Sequence, residues 1–218
     1  SIIVTGIQFE KTHFEVHALD FDKGEDSFEI GSKLAKKLSK EELKLCFILS
    51  DGLHINGTRL VEGLKQELPK NTLLTGGLAG DGKRFSETLV CLNEKFDSQK
   101  VVVLGLYGNH INIEYGSMGG WDSFGPSRLV THSENNILYT MDDQNALTLY
   151  KTYLGPHAKD LPSSALRFPL LVQLPNGQKV VRTILAIDEE TGSMTFAGDI
   201  PKGSYAELMC ANYDRLID

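Results

Sequence analysis

The stretch that most constrains the fold lies between residues 45 and 75. Leu45-Cys46-Phe47-Ile48-Leu49 is a continuous apolar run that stops at Ser50-Asp51-Gly52, which suits a strand covered on both faces. Asn56 supplies an N-cap for a helix with the inward stripe Leu60, Val61, Leu64 and Leu68, closed by Pro69 and Asn71. Thr72-Leu73-Leu74-Thr75 then reads as a second strand. A strand–helix–strand unit of this kind returns the chain in parallel, so an α/β fold with at least one parallel pair is expected.

Upstream, the β-branched run Ile2-Ile3-Val4-Thr5-Gly6-Ile7 and the alternating residues His13 to Leu19 read as a pair of strands. A helix follows, with Phe28, Gly31, Leu34, Ala35 and Leu38 inward and Lys33, Lys36 and Lys37 on the solvated face. Strands are also expected at Glu87 to Leu92, Val101 to Tyr107, Ile111 to Tyr115 and Leu129 to His132. Val102-Val103-Leu104-Gly105-Leu106 echoes Ile3-Val4-Thr5-Gly6-Ile7, and an alternating strand follows each. On this weak internal repeat the first copy lacks its front half, so Ser1 is expected to be a cut within a longer chain.

From Asn145 the texture changes. A short amphipathic helix, Ala146 to Leu154, leads into strands Leu170 to Leu174, Lys179 to Ile187, Ser193 to Phe196 and Tyr205 to Ala211. Asn176-Gly177 and Thr191-Gly192 supply hairpin turns, and an antiparallel meander is expected. The expected organisation is therefore an α/β (mixed α+β) region over 1–144 and a mainly antiparallel β region over 145–218.

Composition excludes several classes. The net charge of −7 carries no basic stripe, so nucleic acid is not expected as a partner. The longest apolar runs are far short of the roughly 20 residues of a spanning helix, so no membrane insertion is expected. Cys46, Cys91 and Cys210 are odd in number, far apart and outside any CxxC pair. They read as buried thiols in a reducing, cytoplasmic compartment.

Three polar, glycine-bearing loops follow core strands: Ser50 to Gly57, Gly76 to Arg84 and Gly116 to Pro126. Ligands of open α/β sheets sit beyond such strand ends. The glycine loop around Gly77 serves either anion binding, with Arg84 adding charge, or tight turning alone, and it lacks the GxxxxGK[ST] phosphate-loop pattern. Ser50-Asp51-Gly52-Leu53-His54 sets hydroxyl, carboxylate and imidazole side by side but is not the GxSxG of a nucleophile elbow. Trp121, the only tryptophan, either covers a ligand or plugs the core. His13 and His17 stand roughly 13 Å apart along a strand, too far for one ion. No metal site and no catalytic residue is expected. Ser50, Asp51, Asn56, Gly77, Asp81, Arg84 and Trp121 are the candidate ligand contacts, with Arg84 suited to a carboxylate or phosphate and Asp51 or Asp81 to an amine.

The same loops resemble the FIST (F-box and intracellular signal transduction) family. The matching runs are Leu49 to Leu53 with Asn56-Gly57, Gly76 to Gly82, Gly119 to Asp122 with Phe124 to Pro126, Ala146 to Gly155, and Phe196-Ala197-Gly198-Asp199-Ile200-Pro201. The resemblance implies a FIST N-terminal region to about residue 144 and the start of a FIST C-terminal region after it. It further implies a non-enzymatic sensor of a small molecule, with amino acids as the proposed ligands. The implied outputs are a histidine kinase, a cyclic-dinucleotide enzyme or a chemoreceptor. No cofactor is expected. The alternative is a haem-based nitric oxide sensor, and a hydrolase centred on Ser50 or Asp51 is a further one. His54 stands where the family pattern has Asn, so no haem role is carried to it.

Overall fold

The computed structural model describes residues 4–116, 119–212 and 214–217. The class is mixed α+β, and the chain gathers into two compact units. The first takes Ser1–Asp51, Leu60–Ala79 and Leu89–Gly116; the second takes Gly52–Arg59, Gly80–Thr88 and Ser117–Asp218.

The first unit contains, in chain order, β1 (His13–Asp20), α1 (Ser27–Lys37), β2 (Leu43–Ser50), α2 (Gly57–Glu67, whose first turn falls in the second unit), β3 (Leu73–Leu78), β4 (Val90–Leu92), β5 (Lys95–Asp97) and β6 (Lys100–Tyr107). Its four-stranded sheet runs β1-β6-β2-β3, while β4 and β5 form a separate ribbon. The expected parallel pair is β2–β3, in register from Leu45↔Leu73 to Ser50↔Leu78. Both helices start on side-chain caps. Asp26 accepts from the Phe28 N–H at 3.0 Å, and Asn56 accepts from the N–H groups of Thr58 and Arg59 at 3.1 and 3.3 Å.

Residues opposite one another across paired strands share a face. Val101, Val103 and Gly105 of β6 therefore lie with Ser50, Ile48 and Cys46 of β2. A Cβ on Gly105 would stand 3.0 Å from Leu38 Cδ2, so the chain leaving α1 crosses this face. Ile30, Leu34, Leu60 and Leu64 are each 2% exposed or less, and burial of one such side chain contributes about 1.5–3 kcal/mol. The helices touch through two glycines. A Cβ on Gly31 would lie 2.3 Å from Leu60 O, and one on Gly63 2.0 Å from Phe28 O. Gly63 thus takes an inward position, while Val61 is half-exposed.

Two expected strands are absent. Ile2 and Ile3 lie outside the described residues, but Val4 to Ile7 form no strand, and Val4 and Ile7 are 87% and 71% exposed. Ile111 to Tyr115 is likewise without regular structure. A strand needs a neighbour for its backbone groups, and neither segment pairs with a strand among the described residues; β6, which precedes Ile111, is already paired on both sides, by β1 and β2. Among the described residues, the echo between residues 4–7 and 103–106 is not carried into the backbone.

The second unit contains β7 (Trp121–Glu134), β8 (Ile137–Met141), β9 (Gln144–Asn145), α3 (Ala146–Leu154), β10 (Leu170–Gln173), β11 (Lys179–Arg182), β12 (Ile184–Asp188), β13 (Ser193–Phe196), β14 (Tyr205–Ala211) and the short α4 (Asp214–Ile217), with 3-10 turns at Gly155–Asp160 and Ser163–Arg167. Gly177 and Gly192 have φ of +86° and +67°, as their hairpin turns require. The simple meander is corrected. The sheet order is β11-β10-β14-β7-β8-β13-β12, with β9 on β8. Strands β11 and β12 lie at opposite ends of that order, yet only Thr183 separates them in sequence. One residue spans at most about 3.6 Å, so the sheet curls until its two ends meet.

The curl encloses Leu138, Tyr150, Leu170, Ile184, Met194 and Phe196, all fully buried. Helix α3 starts on Asn145, whose side chain accepts from the Thr148 N–H at 2.9 Å, and turns Ala146, Leu147, Tyr150 and Leu154 inward. The Tyr150 hydroxyl donates to Phe168 O at 2.7 Å, so its burial leaves no unmet donor. The boundary expected near residue 144 falls within β9, inside this unit.

The three thiols differ from the uniform burial expected. Cys46 is buried, which pushes its thiol up to about 12, whereas Cys91 is exposed and Cys210 half-buried. Among the described residues no helix is long and apolar enough to cross a membrane.

The glycine contact is the least forgiving point of the first unit. Gly31→Ala and Gly63→Ala are each expected to lower its stability by about 1–3 kcal/mol through overpacking, measured by urea unfolding; an unchanged midpoint would refute the close approach.

Candidate functional site

In the first unit, Ser50 ends β2 and Asp51 follows it, and they are only 1% and 0% exposed. The Ser50 hydroxyl donates to Asp51 O at 2.9 Å. The Asp51 N–H donates to Lys100 O at 2.9 Å, and its carboxylate accepts from the Gln99 N–H at 3.3 Å. Both side chains thus serve the backbone where β2 meets the turn before β6. Gly77 is exposed, with open space where a Cβ would stand, and the chain beyond it returns to β2 through an Ala79 N–H donated to Ser50 O at 2.8 Å.

In the second unit, Asn56 spends both ends of its amide. Its oxygen caps α2, and its Nδ2 donates to Asp199 Oδ1 at 2.6 Å. The Thr58 hydroxyl accepts from the Asp199 N–H at 3.1 Å and from Arg182 Nη2 at 3.3 Å, while Arg182 Nε donates to Asp199 O at 2.9 Å. The Gly57 N–H closes the cluster on Ala197 O at 2.9 Å. Burial lowers the Arg182 pKa, so the guanidinium is held by these partners rather than by water. A Cβ on Gly198 would come within 2.7 Å of Thr58 Oγ1, which leaves glycine as the residue that fits.

Asp81 organises its own loop. Its carboxylate accepts from the N–H groups of Phe85, Ser86 and Glu87 at 3.0, 2.8 and 3.2 Å. These bonds, the one from Ser86 foremost, hold its pKa down at about 2. Arg84 lies 3.9 Å from Asp81 and its side chain is 74% exposed. Trp121 is half-buried and is not in a loop, as expected from its glycines; it opens β7, opposite Ala211 of β14. The polar neighbours that looked loop-like are tied down, since Asp122 accepts from Asn212 Nδ2 at 2.7 Å and Arg215 Nη1 at 2.6 Å.

The histidines stand apart in role. His13 and His17 flank Glu15 at 3.6 and 3.5 Å, and His132 stacks on Tyr139 with ring centroids 4.6 Å apart. Among the described residues no group of three or more His, Cys, Asp or Glu could hold a metal ion.

The structure therefore brings Ser50 together with Asp51, and Asp81 with Arg84, while Asn56 joins Asp199. Sequence reasoning missed Thr58, Arg182 and Asp199 as members of that last cluster. Asp199 lay in a quoted motif, but Arg182 has no local signal because its partners are far away in sequence.

Fold and loops together define a mixed α+β protein whose glycine-bearing loops are braced from within by buried polar side chains. The FIST N domain matches residues 1–144 and the FIST C domain matches residues 146–218. The chain belongs to the FIST family, whose domains are associated with sensory roles in signal transduction. No curated protein and no solved structure matches it.

Asp81 gives a signed pH dependence. Its pKa is lowered, so its stabilisation of the loop is full above the usual carboxylate value of about 3.9 and is lost as pH falls through about 2. Asp81→Ala is expected to speed exchange of the Phe85, Ser86 and Glu87 amides at neutral pH, read by hydrogen–deuterium exchange. Separately, Asn56→Ala removes a helix cap and is expected to cost about 1 kcal/mol in thermal or denaturant unfolding.

Proposed function

We propose that the chain is a small-molecule-binding sensory domain of a cytoplasmic signalling protein, that its ligand is a small polar metabolite such as an amino acid, and that it works by binding rather than by catalysis. The observation that carries this reading is the braced loop of Asp81 and Arg84. Asp81 is committed to three backbone amides, while Arg84 stands 74% exposed on the same loop. A guanidinium so placed offers a carboxylate or phosphate two parallel donors.

The non-enzymatic reading is supported by the enclosure of Ser50, since a nucleophile needs both access and a base within reach. Ser50, Asp51, Asn56 and Asp81 then act as supports for loop shape. Occupancy would be passed to an output such as a histidine kinase, a cyclic-dinucleotide enzyme or a chemoreceptor, and no cofactor is required.

Thermal-shift measurements against the standard amino acids, with native mass spectrometry of retained small molecules, test this reading. A true ligand at about 100 times its Kd should stabilise the protein by about 2.7 kcal/mol. Arg84→Ala should weaken that ligand by about tenfold or more; an unchanged shift in the variant would remove Arg84 from the site.

A further inference from the structure

The sheet of the first unit ends on one side at β1, which pairs with β6 and with no other strand among the described residues. Peptide alternation decides which of its groups face outward. The Phe21 N–H donates to Gln99 O at 3.0 Å, and the register continues as Leu19↔Val101, His17↔Val103 and Glu15↔Gly105. Odd-numbered residues therefore bond to β6, and the N–H and C=O groups of Phe14, Val16 and Ala18 point to the open edge. The Ala18 carbonyl meets Lys37 Nζ at 2.8 Å.

Edge strands are usually blunted by lysine, proline or a bulge. The sequence of β1, HFEVHALD, contains neither residue, and its eight-residue pairing with β6 runs without a register shift; the lysine at this edge is Lys37 of α1, which meets the Ala18 carbonyl and leaves that oxygen's second lone pair for a pairing strand. Phe14 and Val16 are 52% and 37% exposed. They lie on the face opposite to Val101, Val103 and Gly105, together with Ala18, Leu104 and Leu106. The other edge strand, β3, carries Gly76 and Gly77, which weaken an edge as a template.

We propose that β1 pairs antiparallel with β1 of a second copy of this chain, about a two-fold axis through Val16, joining two four-stranded sheets into one. Hydrogen bonding requires even-numbered residues to face even-numbered ones. With Val16 opposite Val16, Phe14 meets Ala18 of the second copy, and Glu15 meets His17 of the second copy, twice. The neighbouring registers of the same parity set Glu15 against Glu15 or His17 against His17, like against like. Hydrogen bonds, chiefly from Ser39 and also from Tyr107, hold the Glu15 carboxyl at about 2, so it stays ionised at neutral pH. The two-fold also brings the exposed Phe14 and Val16 of both copies into one apolar strip.

Analytical ultracentrifugation of the 218-residue chain across the micromolar range tests the pairing, and a dimer is expected. Val16→Lys places two ammonium groups on the axis and should weaken the dimer by at least about tenfold, with an unchanged circular dichroism spectrum. In the unsubstituted chain, hydrogen exchange should show the Phe14, Val16 and Ala18 amides gaining protection as concentration rises, while Glu15 and His17, already bonded to β6, do not change. A chain that sediments as a monomer throughout overturns the proposal. So does a dimer that is indifferent to Val16→Lys and gives those three amides no added protection.

Discussion

Strand β6 sets the terms for the first unit because its backbone serves two neighbours at once. Gln99, just before it, bonds toward β1, while Lys100 bonds toward the end of β2, and the alternation continues along the strand. One face of this ladder is covered by the helices, and Gly105 leaves room there for Leu38 and the Tyr107 ring. With both edges of β6 occupied, the alternating segment Ile111 to Tyr115 that follows cannot pair back onto it. The edges of this sheet are consequently β1 on one side and β3 on the other.

The second unit is shaped by a different constraint. Strands that end the sheet on opposite sides are joined through the single residue Thr183. The sheet has to curl, and the curl turns the alternate residues of β8, β10, β12 and β13 onto a common interior that α3 fills with Leu147, Tyr150 and Leu154. Tyr150 is tolerated there because its hydroxyl reaches a backbone carbonyl; without that bond, its burial would cost about 1–3 kcal/mol.

Polar residues in the loops divide by exposure into supports and candidates for contact. Ser50, Asp51 and Asn56 direct their side chains to backbone or to Asp199, and Asp81 to its own loop. Arg84 and Gly77 face solvent. A carboxylate whose acceptors are filled by amides is a poor receptor for an amine, so in the proposed site Asp81 would supply geometry and Arg84 charge. The loops are held in shape by these internal bonds.

Local pattern was sufficient wherever the deciding bond spans a few residues. The strand–helix–strand unit from Leu45 to Thr75, the cap at Asn56, the helix from Ala146 to Leu154 and the turns at Gly177 and Gly192 were all legible, since caps, turns and apolar periods act within one or two turns of chain. The rest depended on distant partners. Trp121 to Pro126 reads as a loop in isolation and becomes strand because β14 pairs with it far later in the chain, from Phe124↔Leu208 to Trp121↔Ala211. Val4 to Ile7 reads as strand and is not, because its alternation meets no pairing strand among the described residues. Arg182 acquires Thr58 and Asp199 only when the sheet curls. The sequence by itself determined which segments favour helix, strand or turn and which loops carry polar residues. Tertiary structure decided which strands find neighbours and which polar side chains remain exposed, because hydrogen-bond partners and burial are properties of residues that meet in space.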